Sequence, residues 1–347
     1  MRLKKFILLI GFAFIGRTEA ADECKSVLEA NQAKSFYHLN TVMDVSRTAS
    51  ARTFTATPTR KEDIIEAIAF ARRNRLKLTI MGTNHTHGGH NRRHETPNGK
   101  PQALQLNMMS FNKILSLDLS KQEVTVQAGV TWRELSIFLN PAGLAARTEQ
   151  SSNIFSIGGS VSANIHGRDI HGPLINSIVE IKFIDSQGVE QIVSRFRQPD
   201  VFRAVVGGYG GMGVITEITL KLEKNHLYEA HAVKDISIDE YISYIHTLSR
   251  RPDNRMHYGR VNISGKHAFN KMSFVEWAPV PDQVLSPERP EWALNLGEKH
   301  RWASSQIMNL MRHKPTSRAG KYIKDIMDKY FGLPKTGTLK TKNNIHN

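Results

Sequence analysis

Residues 156–172 read SIGGSVSANIHGRDIHG, from Ser156 to Gly172. The glycines Gly158, Gly159, Gly167 and Gly172 stand among Ser160, Ser162, Asn164, His166 and His171, with few long apolar side chains. A core helix or strand is not built this way. Glycine lets a backbone approach a ligand closely and reach positive φ. Successive main-chain N–H groups in such turns form concavities that hold anions. Ser160, Ser162 and Asn164 add neutral donors, so a phosphate can be held without a lysine. The plain alternative is a surface loop. Val161, Ala163 and Ile165 alternate through the segment, which favours one side being buried against something.

Two more glycine-rich stretches flank it. Upstream, Leu76, Leu78 and Ile80 alternate as a strand and lead into Gly82-Thr83-Asn84-His85-Thr86-His87-Gly88-Gly89. Before them a short strand at residues 52–56 precedes Thr59-Arg60-Lys61-Glu62, read as a capping box, and Ile64, Ile65, Ile68 and Ala71 at helical spacing. Strand, helix and strand predict a parallel pair with a right-handed crossover. The loop at Gly82 then leaves the carboxyl end of a strand, where α/β sheets bind ligands. Downstream, Gly208-Tyr209-Gly210-Gly211-Met212-Gly213 matches GxGxxG. The dinucleotide fingerprint needs a strand before it and a helix after it. Here a helix at 199–206 precedes and a strand follows, with Val214, Thr216, Ile218, Leu220 and Leu222 on one face opposite Glu217 and Lys221. The fingerprint is therefore rejected.

Between these stretches the pattern predicts strands at 103–107, 116–119 and 123–128, and a capping box at Thr131-Trp132-Arg133-Glu134 opening a short helix that Pro141 and Gly143 end. A hairpin at 178–193 turns on Ser186-Gln187-Gly188. Beyond Lys224 the strands are weaker, at 257–263 and 272–277. A proline-rich loop follows at 279–290, then a helical face of Tyr322, Ile323, Ile326, Tyr330 and Phe331, and a disordered tail at 333–347. Residues 22–46 show little pattern.

The chain has 347 residues and a net charge of +15. Residues 300–347 concentrate ten basic residues against Asp325 and Asp328, which suits an anionic membrane surface, a phosphorylated substrate, nucleic acid or a solvated face. Cys24 is the only cysteine, so an internal disulfide and any cysteine-built metal site are excluded. Residues 1–20 read as a secretory signal: Arg2, Lys4 and Lys5, then a short apolar run, then Thr18-Glu19-Ala20. An uncleaved anchor is the alternative; either way the body is expected on the exported side, periplasmic or secreted. Residues around Cys24 make a poor lipobox. His85, His87, His90 and His94 invite a metal reading, but glycines forbid a shared helix face and no acid stands among them before Glu95, so no metal is expected.

The three glycine motifs, in this order, resemble the FAD-binding domain of the vanillyl-alcohol oxidase / p-cresol methylhydroxylase family. Within it they are most similar to sugar-lactone, alditol and decaprenylphosphoryl-ribose oxidases. The resemblance implies an α+β fold: a two-subdomain FAD-binding domain at 47–222 after an N-terminal segment at 21–46, then a partial α+β cap domain at 223–332. It implies that Gly82, Thr83, Asn84, His85 and Thr86 form one pyrophosphate-flanking loop and Gly158, Gly159, Ser160 and Ser162 the other. Asn164 and His166 would face the flavin ring or its ribityl chain, and Gly213 and Ile215 the adenosine side. Arg168 would stabilise the anionic reduced ring, against the plainer reading of an ion pair with Asp169 or Glu180. Tyr258 and Arg260, alternate residues of one strand, would meet the substrate, with Tyr258 or His257 as base.

The implied activity is oxidation of a C–OH group of a sugar-like, lactone or polyol substrate, by hydride transfer to flavin N5. Oxygen, a quinone and a cytochrome stay open as electron acceptor. His85 stands where family members often bond covalently to the flavin; covalent and non-covalent FAD both stay open, because Asn84 replaces the glycine common before that histidine. Family members generally continue further, so a short cap predicts a second reading, a flavin-binding remnant with impaired turnover. A third is a basic protein for anionic surfaces, with nucleic acid not expected.

Overall fold

The computed structural model describes residues 37–43, 50–86, 103–248, 250–251, 253, 256–261, 270–280 and 333–345. The signal segment, His87, His90, His94, the proline-rich loop after 280 and the basic stretch at 300–331 lie outside them.

The first sheet contains β1 (Tyr37–Met43), β2 (Ser50–Ala56), β3 (Lys77–Met81) and β4 (Ala103–Asn107), with helix α1 (Lys61–Arg73) between β2 and β3. β1 falls where the sequence shows no pattern. The sheet order is β1-β2-β4-β3. The strand–helix–strand unit forms, but β4 lies between β2 and β3 and is parallel to both. α1 buries Ile64, Ala67, Ile68, Phe70 and Ala71 against Phe54, Leu104 and Leu106. Its cap differs from the expected one. The helix begins one residue later, so Asp63 rather than Glu62 closes it, accepting from the Thr59 and Arg60 N–H groups at 2.9 and 3.1 Å.

The second sheet contains β5 (Ile114–Asp118), β6 (Glu123–Gln127), β7 (Leu144–Ala146), β8 (Ile178–Ile184), β9 (Glu190–Ser194) and β10 (Val214–Lys224). Its order is β5-β6-β10-β8-β9, with β7 also on β10. Helices α2 (Trp132–Leu139), α3 (Ile157–Ala163) and α4 (Pro199–Val205) accompany it. The Thr131 box forms as expected: Thr131 N–H donates to Glu134 at 2.7 Å, and Glu134 N–H to Thr131 Oγ1 at 3.2 Å. β10 departs from simple alternation. A bulge between Ile215 and Glu217 switches its faces. Val214 therefore belongs to the core of the first sheet, whereas Ile215, Ile218, Leu220 and Leu222 belong to that of the second. One strand thus ties the two subdomains together.

The third sheet, order β12-β13-β11-β14, contains β11 (Leu227–Ser237), β12 (Met256–Val261), β13 (Lys271–Pro279) and β14 (Leu339–Thr341). Helix α5 (Ile238–Leu248) follows β11, and α6 (Lys342–Ile345) follows β14. The expectation of a disordered tail is corrected here. Residues 339–341 pair with 227–229 of β11. Lys342, Asn343 and Ile345 are buried. These polar residues resemble a solvated end in sequence, but partners distant in the chain satisfy them. Asn343 N–H donates to Asn225 at 3.1 Å, and its side chain to the Leu144 carbonyl at 3.0 Å. Among the described residues no helix is long and apolar enough to cross a membrane.

Candidate flavin site

A cavity of about 360 Å³ lies between the first two sheets. Leu78, Ile80 and Met108 line it from one core, and Ala128, Phe155, Ile165 and Ile215 from the other. All five residues of the 82–86 loop, together with Gly158, Gly159, Ser160, Ser162 and Gly213, line it as expected. No Asp, Glu, Lys or Arg side chain is among the described lining residues. Burying an uncompensated charge is costly, and this wall avoids it with hydroxyls, amides and main chain.

Residues 157–163 are a helix, α3, rather than the expected loop. Its glycines serve packing as well as access. A Cβ on Gly158 would lie 2.7 Å from Ala128 Cβ and 2.8 Å from the Ala128 carbonyl oxygen. Val161 on the same helix is fully buried. The first intrahelical bond runs from Ser160 N–H to Ser156 C=O at 3.0 Å, leaving Gly159 N–H without an intrahelical acceptor. Gly159 is exposed beside the cavity. The two glycine motifs touch: a Cβ on Gly82 would lie 2.0 Å from Ser156 Oγ. Tyr209 and Gly210 close a third side, Gly210 at φ +80° with Ile80 against it.

Asn84 has φ +56°. This is the left-handed conformation that glycine adopts freely and asparagine tolerates best among other residues. The substitution of Asn84 for glycine therefore keeps the turn. His85 follows it into the cavity wall and meets the Phe155 ring edge-on, centroids 4.6 Å apart.

Three of the expected residues have partners within the fold. Ser160 is buried and its hydroxyl is committed to the fold: it accepts from Trp132 Nε1 at 2.9 Å and lies 3.2 Å from Gln150 Oε1. Asn164 turns left-handed at the end of α3, and its Oδ1 accepts from Ile175 N–H at 3.1 Å, so it closes a loop and does not line the cavity. His166 is exposed, with Nδ1 3.0 Å from its neighbour's carbonyl, and does not line the cavity either. Alternation inside residues 156–172 reads these side chains wrongly because a helix, then a left-handed turn, replaces an extended loop. Gln150, Phe155, Ser156 and Tyr209 line the site without having been expected there; only their spacing from the glycines hinted at them.

Arg168, Tyr258 and Arg260 are brought together by the fold. The Arg168 guanidinium carbon lies 4.2 Å from the Tyr258 ring centroid, and that of Arg260 5.5 Å. Arg168 does not pair with Asp169 or Glu180; it donates to the Ile345 carbonyl at 2.8 Å. His257 N–H donates to the Arg168 carbonyl at 2.9 Å, while burial holds its imidazole pKa below the usual value.

Beside Arg168 lies a buried charge cluster. Lys342 Nζ donates to the Arg147 carbonyl at 2.7 Å and pairs with Glu223. His171 Nε2 lies 2.8 Å from the other Glu223 oxygen. Burial pushes Glu223 up, but the His171 hydrogen bond and Lys342 outweigh this and hold it down at about 2. Burial pushes Glu149 up to about 8, although Lys342 and Ser136 oppose it. Asp169 is also raised by burial, against the opposing charge of Lys342.

A glycine-rich cavity without Asp, Glu, Lys or Arg at the seam of two subdomains suits a large cofactor held by neutral donors. Residues 53–194 match the family model described as "FAD binding domain", so this part of the chain is an FAD-binding domain, of PCMH type. The chain is 30% identical over 169 residues to L-galactono-1,4-lactone dehydrogenase 2, mitochondrial, of Oryza sativa subsp. japonica, covering 48% of this chain and 27% of that protein. It is 28% identical over 174 residues to L-gulonolactone oxidase of Mus musculus, covering 50% of this chain and 38% of that one. The matched part thus spans well under half the length of these relatives. The fold resembles that of cholesterol oxidase from Brevibacterium sterolicum, with TM-score 0.65 and 14% identity, over 89% of this chain and 61% of that one.

Proposed function

We propose that the chain is an FAD-dependent oxidoreductase that oxidises a C–OH group of a sugar-like, lactone or polyol substrate. The observation that carries this is the cavity between residues 82–86 and 158–162, where glycines admit a ligand and no carboxylate repels its phosphates. The residues fit FAD: Gly82, Thr83, Gly159 and Ser162 would flank the pyrophosphate, and Gly213 and Ile215 the adenosine side. FAD, when bound, would supply the hydride-accepting ring. The chain's own part is to hold and orient: His85 against Phe155 fixes one edge of the site, and Arg168 with Tyr258 closes the seam toward the third sheet. Tyr258 is preferred over His257 as the group that takes the alcohol proton, because it shares the face of Arg260 while His257 alternates to the other.

The substrate oxidised and the acceptor that reoxidises the flavin, whether oxygen, a quinone or a cytochrome, are part of this proposal. So are export, from the reading of residues 1–20, and contact of the basic segment with anionic lipid. The test is the absorbance spectrum of the purified protein, followed by addition of sugar lactones and polyols without oxygen. A yellow protein bleached by one of them is expected. A colourless protein that takes up no added FAD refutes the reading. An N-terminus found at Met1 on soluble protein from the cytosol refutes export.

A further inference from the structure

The seam between the flavin domain and the third sheet brings three cationic side chains together. Arg168 is half-buried, with its guanidinium on one ring, that of Tyr258, which Arg260 also approaches. The two guanidinium carbons therefore lie within about 10 Å of each other, near one Debye length at ordinary ionic strength. Lys340 on β14 and Arg168 bond the adjacent carbonyls of Asn344 and Ile345; burial holds the Lys340 pKa below its usual value, and the charge of Arg168 lowers it further. Among the described residues no carboxylate forms a salt bridge with any of the three.

The orientation of β12 supports a ligand here. A Cβ on Gly259 would lie 2.6 Å from the Tyr241 hydroxyl on α5. The Gly259 face of the strand is therefore packed on α5, and Tyr258 and Arg260 project from the other face, toward Arg168. Arg260 is exposed, so the seam opens to solvent. Ile165, three residues before Arg168 on one loop, lines the flavin cavity. Guanidinium groups present forked donors matched to planar or tetrahedral oxyanions. Gathering cations around one ring is unfavourable by itself and becomes favourable when an anion enters.

We propose that Arg168, Tyr258, Arg260 and Lys340 form a subsite for an oxyanion on the substrate, so that the chain acts on an anionic sugar, a sugar carboxylate or a sugar phosphate. The word substrate rests on the oxidoreductase reading; the oxyanion site rests on geometry alone.

The FAD-loaded protein is titrated calorimetrically at low salt with inorganic phosphate, with D-gluconate and with the neutral polyol D-sorbitol. Saturable binding of at least one anion, weakened tenfold or more by Arg260→Gln, is expected, with no sorbitol binding in the same range. Arg260 is exposed, so this variant keeps its fold, which its melting temperature checks. Phosphate alone assigns a phosphorylated sugar, gluconate alone a sugar acid, and both assign their shared oxyanion chemistry. Absence of anion binding, or binding unchanged in Arg260→Gln, overturns the proposal. The flavin spectrum of the same sample separates the two readings. A colourless protein that binds anions through Arg260 defeats the oxidoreductase reading and keeps the site, whereas a yellow one without anion binding defeats the site alone.

Discussion

Replacing Glu149 by glutamine should change how stability depends on pH. Glu149 is fully buried, and Ser136 Oγ lies 3.4 Å from its Oε2. Burial raises its pKa from 4.5 to about 8. A raised pKa means that the folded state holds the proton which the unfolded chain releases. The contribution is fully present below the unfolded value of 4.5 and is lost as pH rises through the folded value of about 8. Each unit corresponds to about 1.4 kcal/mol, so the full span is roughly 5 kcal/mol as an upper bound. Glutamine copies the protonated acid in shape and hydrogen bonding and cannot ionise. Glu149→Gln should match the wild type near pH 5 and exceed it by a few kcal/mol at pH 9. Lys342 keeps Glu223 as its partner in both. The charge of Asp169 adds to the rise at Glu149, so the difference between the two proteins reports Glu149 together with its coupling to Asp169. Urea unfolding at a series of pH values measures it. A difference that stays constant from pH 5 to 9 would refute the argument. A variant that loses ground as pH rises would mean that Glu149 is ionised and compensates Lys342.

Gly158→Ala sets a methyl 2.7 Å from Ala128 Cβ, which should cost about 1–3 kcal/mol and displace the helix that lines the flavin cavity; unchanged melting and unchanged flavin content would count against the packing role. Lys342→Met removes one partner of a buried pair and should cost about 3–5 kcal/mol, with residues 339–345 becoming sensitive to protease; a C-terminus as resistant as the wild type's would disprove the latch. Trp132→Phe removes the donor to Ser160 Oγ and should lower stability by about 1 kcal/mol, as thermal unfolding will read. For His85, acid denaturation decides between bonded and released flavin: flavin that stays on the wild-type chain and is released from His85→Ala establishes the bond, and complete release from the wild type rules it out.

Much of this protein is legible along the chain because local chemistry decides it. The Thr131-to-Glu134 cap, the hairpin of β8 and β9 and the run of α4 into β10 are contacts between near neighbours, so spacing reveals them. Glycine clusters mark where a backbone can come close to a ligand, and the loop at 82–86 with Tyr209, Gly210 and Gly213 lines the cavity. The motifs also carried the flavin reading, and the match at residues 53–194 agrees with it. Other features depend on partners that no local pattern contains. The insertion of β4 between β2 and β3 is set by which hydrogen-bonding edge is free, a property of the sheet. The bulge in β10 switches faces because that strand serves two cores at once. Ser160 and Asn164 look like ligand donors until Trp132 and Ile175, brought in from other segments, take up their oxygens. The order at residues 339–345 is the clearest case. A lysine and two asparagines read as a solvated end, since alone each would pay heavily for leaving water. Only the assembled fold places Glu223, Asn225 and the carbonyls of Arg147 and Leu144 where they replace that water.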